Sequence, residues 1–210
     1  MNSPIQNDEV NNMGIVPINR DKRVLRAQLL TERQAISPAD KKKRDAVLCE
    51  KVHGLIHTAF KNSNTSGDFS QKKVIAIYSP IKGEPDLTAL FQQLIDDGYI
   101  VALPVVVEKN APLKFMPYTP DTLVTGAFGI IEPSWDESKQ VTPDIIVIPC
   151  LGFNEKNYRL GYGGGFYDRT LAMLKKSLHS PFTIGVSYAH LKCDFEINEF
   201  DIPISIMCIS

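Results

Sequence analysis

Between Asn157 and Arg169 the chain reads N-Y-R-L-G-Y-G-G-G-F-Y-D-R. Gly161, Gly163, Gly164 and Gly165 fall within five residues, with Arg159 ahead of them and Asp168 and Arg169 behind. Glycine admits positive φ and places no Cβ in a ligand's way. Successive free N–H groups can then converge on one anion, and a following helix N-terminus adds partial positive charge. Phosphate is the natural guest. The plainer alternative is a tight turn that packs a helix on a sheet, which one or two glycines would fit better than four flanked by arginines. The stretch is not a Walker loop, because no lysine follows the glycines. It is not the dinucleotide fingerprint either, because Phe166 stands where that motif has its third glycine.

The elements on either side must position this stretch. Asp144 to Pro149 is a short apolar run of buried-strand type, and Leu171, Leu174 and Leu178 recur at helical spacing. The glycines therefore join a strand to a helix. Upstream, Asp21 can cap a helix from Lys22 to about Gln34, with Leu25 and Leu29 on one face and Lys22 and Arg26 on another. Two cations one turn apart suit phosphates, although a lone basic face is usually just solvated. Ser37-Pro38 starts a second helix with Leu48, Val52, Leu55 and Ala59 as its core stripe. His53 and His57 on it are spaced for a metal, but the sequence shows no Glu after His53 and no third ligand nearby, so they read as surface or core-edge histidines.

Asn62 to Gln71 reads as a polar connector, Lys73 to Tyr78 as the first strand and Ser79 to Pro85 as a loop. Asp86 is expected to cap a helix through Asp97, ended by Gly98, and Tyr99 to Leu103 to form a strand closed by Pro104. Strand, helix, strand implies a parallel crossover, and ligands of such sheets gather at the carboxyl ends of strands. Glu84 lies on one such loop and the glycines on another. Leu113 to Tyr118 is a candidate extra strand. Asp121 to Gln140 reads as a loop whose aromatics, Phe128 and Trp135, serve packing more often than ligand cover. Phe182 to Val186 and the apolar run Ile204 to Ile209 complete the apolar segments.

The chain has 210 residues and 43% hydrophobic content, which suits one domain with a sizeable core. A net charge of −1 gives no electrostatic case for nucleic acid or an anionic membrane. No apolar run approaches the ~20 residues of a membrane helix. Residues 1–20 lack the apolar core of a secretory signal and read as a loosely attached extension, with the α/β domain over 21–210. Cys49, Cys150, Cys193 and Cys208 are far apart, which suits a reducing cytosol better than a disulfide framework or zinc cage. With no heptad or spare apolar stripe, a monomer is expected.

The segment P-x-L-G-F-x-x-x-x-x-R-L-G-Y-G-G-G-F-Y-D-R, Pro149 to Arg169, closely resembles the signature of 5-formyltetrahydrofolate cyclo-ligases, also called methenyltetrahydrofolate synthetases. K-x-x-x-R (Lys22, Arg26), Y-x-x-x-x-x-E-P (Tyr78, Glu84, Pro85), Leu103-Pro104, F-G-I-x-E-P (Phe128 to Pro133) and Asp201 follow in the family's order. The resemblance implies a single α/β domain, a mostly parallel sheet flanked by helices on both faces, related to sugar-phosphate isomerase and CoA-transferase-like folds. It implies ATP- and Mg²⁺-dependent cyclisation of 5-formyltetrahydrofolate to 5,10-methenyltetrahydrofolate, releasing ADP and phosphate. It implies that Lys22, Arg23, Arg26, Arg159 and the run Leu160, Gly161, Tyr162, Gly163, Gly164, Gly165, Phe166 and Tyr167 bind ATP. Arg26, Ser79, Glu84 and Phe166 would contact the folate, Glu84, Arg159 and Asp168 would be catalytic, and Asp168 and Asp201 would hold Mg²⁺. Three departures stand out: Gly164 where some members carry lysine, Phe166 for the more usual tyrosine, and Ser205 where aspartate is common. A sugar-phosphate isomerase, or a non-catalytic binder that kept the pocket, are the competing readings.

Overall fold

The computed structural model describes residues 21–62, 72–126, 129–177 and 179–210. The N-terminal extension, the connector beyond Asn62 and the aromatic at Phe128 lie outside the described residues.

Helix α1 (Lys22–Gln34) begins as its sequence requires, with the Asp21 carboxylate accepting from the Arg23 N–H. Helix α2 (Pro38–Asn62) starts behind Ser37, whose hydroxyl accepts from the Asp40 N–H. Its deepest stripe is Leu48, Val52 and Ile56, all 0% exposed. Leu55 and Ala59 pack against that core only partly buried, because the four-residue step from Val52 reaches Ile56. Strand β1 (Val74–Ala76) precedes α3 (Ala89–Asp96), which starts two residues later than expected. Asp86 accepts from the Thr88 N–H and hydroxyl instead, closing a turn ahead of the helix. Gly98, at φ +90°, follows the C-cap Asp97 as predicted.

Strand β2 (Ile100–Val105) runs through Pro104 rather than stopping at it. The register with β1 ends at Ala102, so Pro104 owes β1 no N–H, and it faces Phe115 of the antiparallel β3 (Lys114–Pro117). The stretch expected as loop folds instead into an antiparallel ribbon, β4 (Leu123–Thr125) with β5 (Ile131–Pro133). Strand β6 (Ile145–Pro149) leads to a small hairpin, β7 (Gly152–Phe153) with β8 (Arg159–Leu160), before α4 (Phe166–Lys176). Strands β9 (Phe182–Ser187) and β10 (Ile206–Ile209) close the chain.

The main sheet has six strands in the order β10-β9-β6-β1-β2-β3, parallel except for β3. Alternate residues of the central strands serve two cores. Ile75, Val101, Leu103, Ile145 and Val147 meet α1, α2 and α3 on one face. Ala76, Ala102, Ile146 and Ile148 meet Leu171 and Leu174 of α4 on the other. Helices thus cover both faces, and each fully buried Ile or Leu contributes about 1.5–3 kcal/mol. From β1 the chain passes outward to β2, whereas β6 feeds β9 and β10 in the opposite direction. The neighbours β1 and β6 therefore flank a topological switch point, where the loops after both strands diverge and leave a crevice. Among the described residues, no helix is long and apolar enough to cross a membrane.

Candidate active site

A cavity of about 540 Å³ occupies that crevice. The loop after β1 contributes Ser79, Lys82 and Glu84, the segment running from β8 through the glycines into α4 contributes Arg159 to Asp168, and α1 contributes Lys22 and Arg26. The size suits a nucleotide or a pterin-sized ligand.

The glycine stretch follows the β7–β8 hairpin rather than β6 itself, and it leads straight into α4. Gly163 (φ +96°) and Gly165 (φ +63°) hold left-handed conformations. Gly165 is the N-cap of α4 and offers no capping side chain, so the first N–H groups of the helix remain for an outside acceptor. Two arginines fix the peptide orientations. Arg26 Nε donates to the Gly161 carbonyl at 2.8 Å, and Arg169 Nη2 donates to the Gly164 carbonyl at 2.6 Å. Because a trans peptide points its N–H opposite its C=O, these bonds turn the N–H groups of Tyr162 and Gly165 away from the arginines. The Arg26 guanidinium packs against Gly163, where an added Cβ would come within 3.4 Å of Arg26 Cζ.

Four cations (Lys22, Arg26, Lys82, Arg159) and four acids (Glu84, Glu132, Asp168, Asp201) line the cavity. Two pairs are closed. Arg159 Nη2 donates to Asp168 Oδ1 at 2.6 Å while its Nη1 donates to the Ile202 carbonyl, and its side chain is only 5% exposed. Asp168 also accepts the Ile202 N–H. Lys22 Nζ meets Asp201 Oδ2 at 3.1 Å, and that carboxylate also accepts the Asn198 N–H. The residues expected to grip phosphate are thus paired with the residues expected to hold a metal.

Glu84 sits deeper, at 3% exposure. The turn that carries it places Lys82 (φ +48°) and Gly83 (φ +77°) both at positive φ, and the Glu84 N–H donates to the Ile81 carbonyl. Its carboxylate accepts the Ile81 N–H at 2.9 Å. Burial raises the Glu84 pKa above the ordinary carboxylate value, against the pull of the Ile81 N–H and of Arg33. Burial, helped by the Glu84 charge, also pushes Tyr162 up to about 12 and raises Tyr167, so both phenols stay neutral. Arg33, 2% exposed, donates to the Lys82 carbonyl and to the Tyr162 hydroxyl, and its Nη1 is buried with no partner among the described residues.

The structure brings to this one cavity every sequence-selected site residue except one. Arg23 points to solvent beside Asp21, one residue off the face that carries Lys22 and Arg26. Phe166 lines the cavity with its ring against Gly164 and the Arg169 guanidinium over it. Ser79 lines it too, with its hydroxyl donating to the Ile131 carbonyl of the ribbon. Trp135 does not line it. Sequence reasoning missed Lys82, Glu132, Asn198 and Arg33. Glu132 had a signal in the F-G-I-x-E-P segment. Lys82 and Arg33 had none, since a loop lysine and a helix arginine are ordinary in sequence.

A mostly parallel α/β domain whose switch-point crevice is lined by a glycine loop, two cation–carboxylate pairs and a buried carboxylate has the architecture of an α/β enzyme. The profile of the 5-formyltetrahydrofolate cyclo-ligase family matches residues 18–209. The chain is 29% identical to the 5-formyltetrahydrofolate cyclo-ligase of Mycoplasma pneumoniae over 187 residues, 89% of this chain and 97% of that protein. It is 37% identical to the Escherichia coli K12 cyclo-ligase over 139 residues, 62% of this chain and 74% of that one. Among solved structures, it is similar to the 5,10-methenyltetrahydrofolate synthetase of Aquifex aeolicus at TM-score 0.66 and 30% identity, covering 90% of this chain and 89% of that one. The chain belongs to the 5-formyltetrahydrofolate cyclo-ligase family and is a ligase of folate metabolism.

Proposed function

We propose that the cavity holds ATP and 5-formyltetrahydrofolate side by side and couples phosphoryl transfer to ring closure. The formyl oxygen is a poor leaving group. It attacks the γ-phosphorus of ATP, the bond to the bridging oxygen breaks, and ADP departs. The neighbouring folate nitrogen then attacks the activated carbon, phosphate leaves, and loss of the nitrogen-bound proton yields the methenyl product. Phosphoryl transfer asks the protein mainly for positioning and charge neutralisation.

The backbone cradle from Gly161 to Gly165 and the α4 N-terminus receive the phosphates, with Lys22, Arg26 and Arg159 supplying charge. Lys82, which lines the cavity with its ammonium over the Tyr162 ring of the glycine stretch, adds a cation that compensates for the lysine absent at Gly164. Glu84 accepts N–H groups of the pterin from its buried position, and Ser79 and Phe166 flank it. Asp168 and Asp201 fit Mg²⁺, since hard carboxylate oxygens from both face one cavity. When bound there, Mg²⁺ would neutralise phosphate charge. Lys22 and Arg159 then turn from their carboxylates to phosphate oxygens, so no charged group is left unpaired when the cavity fills. We also infer kinship with sugar-phosphate isomerase and CoA-transferase-like folds, supported by the parallel sheet with helices on both faces, and action in a reducing cytosol, supported by cysteines that are far apart in the sequence and form no disulfide among the described residues.

The observation that carries the reading is the convergence of the glycine loop, two cation–carboxylate pairs and buried Glu84 on one cavity. Supplying 5-formyltetrahydrofolate with ATP and Mg²⁺ should produce the near-ultraviolet absorbance of the methenyl product, and omitting ATP should abolish it. Folded protein that gives no product with ATP, or equal product without it, overturns the proposal.

A further inference from the structure

Helix α2 carries His53 and His57 one turn apart, and no third ligand stands near them in the sequence. The fold supplies one. Asp97, the C-cap of α3, brings Oδ2 to 2.6 Å from His53 Nε2 and 3.2 Å from His57 Nε2. The two Nε2 atoms are themselves 3.0 Å apart. Three potential ligand atoms from two helices thus converge on one point.

The surroundings suit an ion as well. A histidine ligand needs its Nε2 lone pair free and its Nδ1–H accepted by a neighbour. The Tyr99 hydroxyl lies 3.4 Å from His57 Nδ1, and the Gln93 amide lies 3.5 Å from His53 Nδ1. Turning that amide over presents its carbonyl oxygen as the acceptor. Ligand atoms around a tetrahedral zinc ion, at about 2.0–2.2 Å from it, stand roughly 3.3 Å apart. Two edges of the observed triangle, 3.2 and 3.0 Å, are within a few tenths of an ångström of that, and the 2.6 Å edge between His53 and Asp97 opens by about 0.7 Å through side-chain rotation. The side chains of His53, His57 and Asp97 are 21%, 36% and 32% exposed, which leaves an entry path and room for a water as fourth ligand.

We propose that His53, His57 and Asp97 form a site for a divalent transition-metal ion of the zinc class, fastening α2 to the turn between α3 and β2. The site lies apart from the catalytic chemistry. Asp97 and Tyr99 precede β2 at its amino end, whereas Pro104 and Val106, at the other end of that strand, line the cavity. A six-residue strand puts about 20 Å between them. The role is structural: an ion held only by the folded chain raises its stability by mass action.

The test uses the full chain, freed of metal by chelation. Zn²⁺ is titrated by calorimetry and Co²⁺ by visible absorption. One ion per chain is expected, with a dissociation constant in the micromolar range or below, a four-coordinate Co²⁺ spectrum without a thiolate band, and a melting temperature raised by Zn²⁺. His57→Ala and Asp97→Ala should each weaken uptake on the order of 100-fold while leaving metal-free melting and folate turnover near those of the parent. No stoichiometric uptake, equal uptake by the His53→Ala/His57→Ala double variant, or a cobalt–thiolate band showing that the cysteines bind instead would overturn the proposal.

Discussion

Replacing Arg159 with methionine separates a catalytic charge from a structural one. Arg159 is almost fully enclosed and bridges Asp168 and the Ile202 carbonyl. Removing one partner of a buried pair costs about 3–5 kcal/mol, because the other charge stays behind unpaired. The low end, about 3 kcal/mol, applies here, since the Asp168 side chain keeps 28% exposure and still accepts the Ile202 N–H. If Arg159 also neutralises the transferring phosphoryl group, kcat should fall on the order of 10³-fold, or roughly 4 kcal/mol of transition-state stabilisation. The double variant Arg159→Met/Asp168→Asn removes both charges and should regain most of the lost stability. It should regain none of the activity. Urea unfolding reads the first quantity and the methenyl absorbance the second. A folded Arg159→Met protein working within about tenfold of the parent, or activity returning with stability in the double variant, would reduce this arginine to scaffold.

Glu84→Gln should make the protein more stable near neutral pH and far less active. A carboxyl whose folded pKa is raised binds its proton more tightly in the folded chain. Its contribution is therefore fully present below its ordinary value of 4.5 and is lost as pH rises through the folded value. The stability gap between Glu84→Gln and the parent should widen with pH over that window by at most about 1.4 kcal/mol per pH unit, and a gap that stays flat from acid to neutral pH would refute the burial argument. Gly165→Ala should cost about 1–2 kcal/mol and raise the KM for ATP, since φ is +63° and the new Cβ would sit 2.8 Å from Arg169 Nη1. Gly161→Ala, with nothing within 4 Å of its Cβ and no positive φ, should change stability by no more than about 0.5 kcal/mol; equal losses in the two variants would show that backbone conformation is not what the loop demands.

Local signals carried far along this chain. Asp21, Ser37 and Gly98 mark helix ends because capping is decided within one turn, and apolar runs mark the central strands because both their faces are covered. The ribbon β4–β5 was not legible, since three-residue strands have too few positions to show a period. Nor was the late start of α3, where Asp86 has a choice of turn or cap and neighbouring backbone settles it.

The amino-acid sequence by itself determined the glycine loop, the cations on the first helix and the acids that follow, because those depend on residue type and short spacing. Only the tertiary structure decided that Lys22 meets Asp201 across 179 positions, that Arg33 braces the Glu84 turn, and that Asp97 meets His53 and His57. The physical reason is that ion pairs and ligand sets need atoms within about 4 Å, and which distant segments come that close is fixed by how the sheet orders its strands and the helices pack upon it.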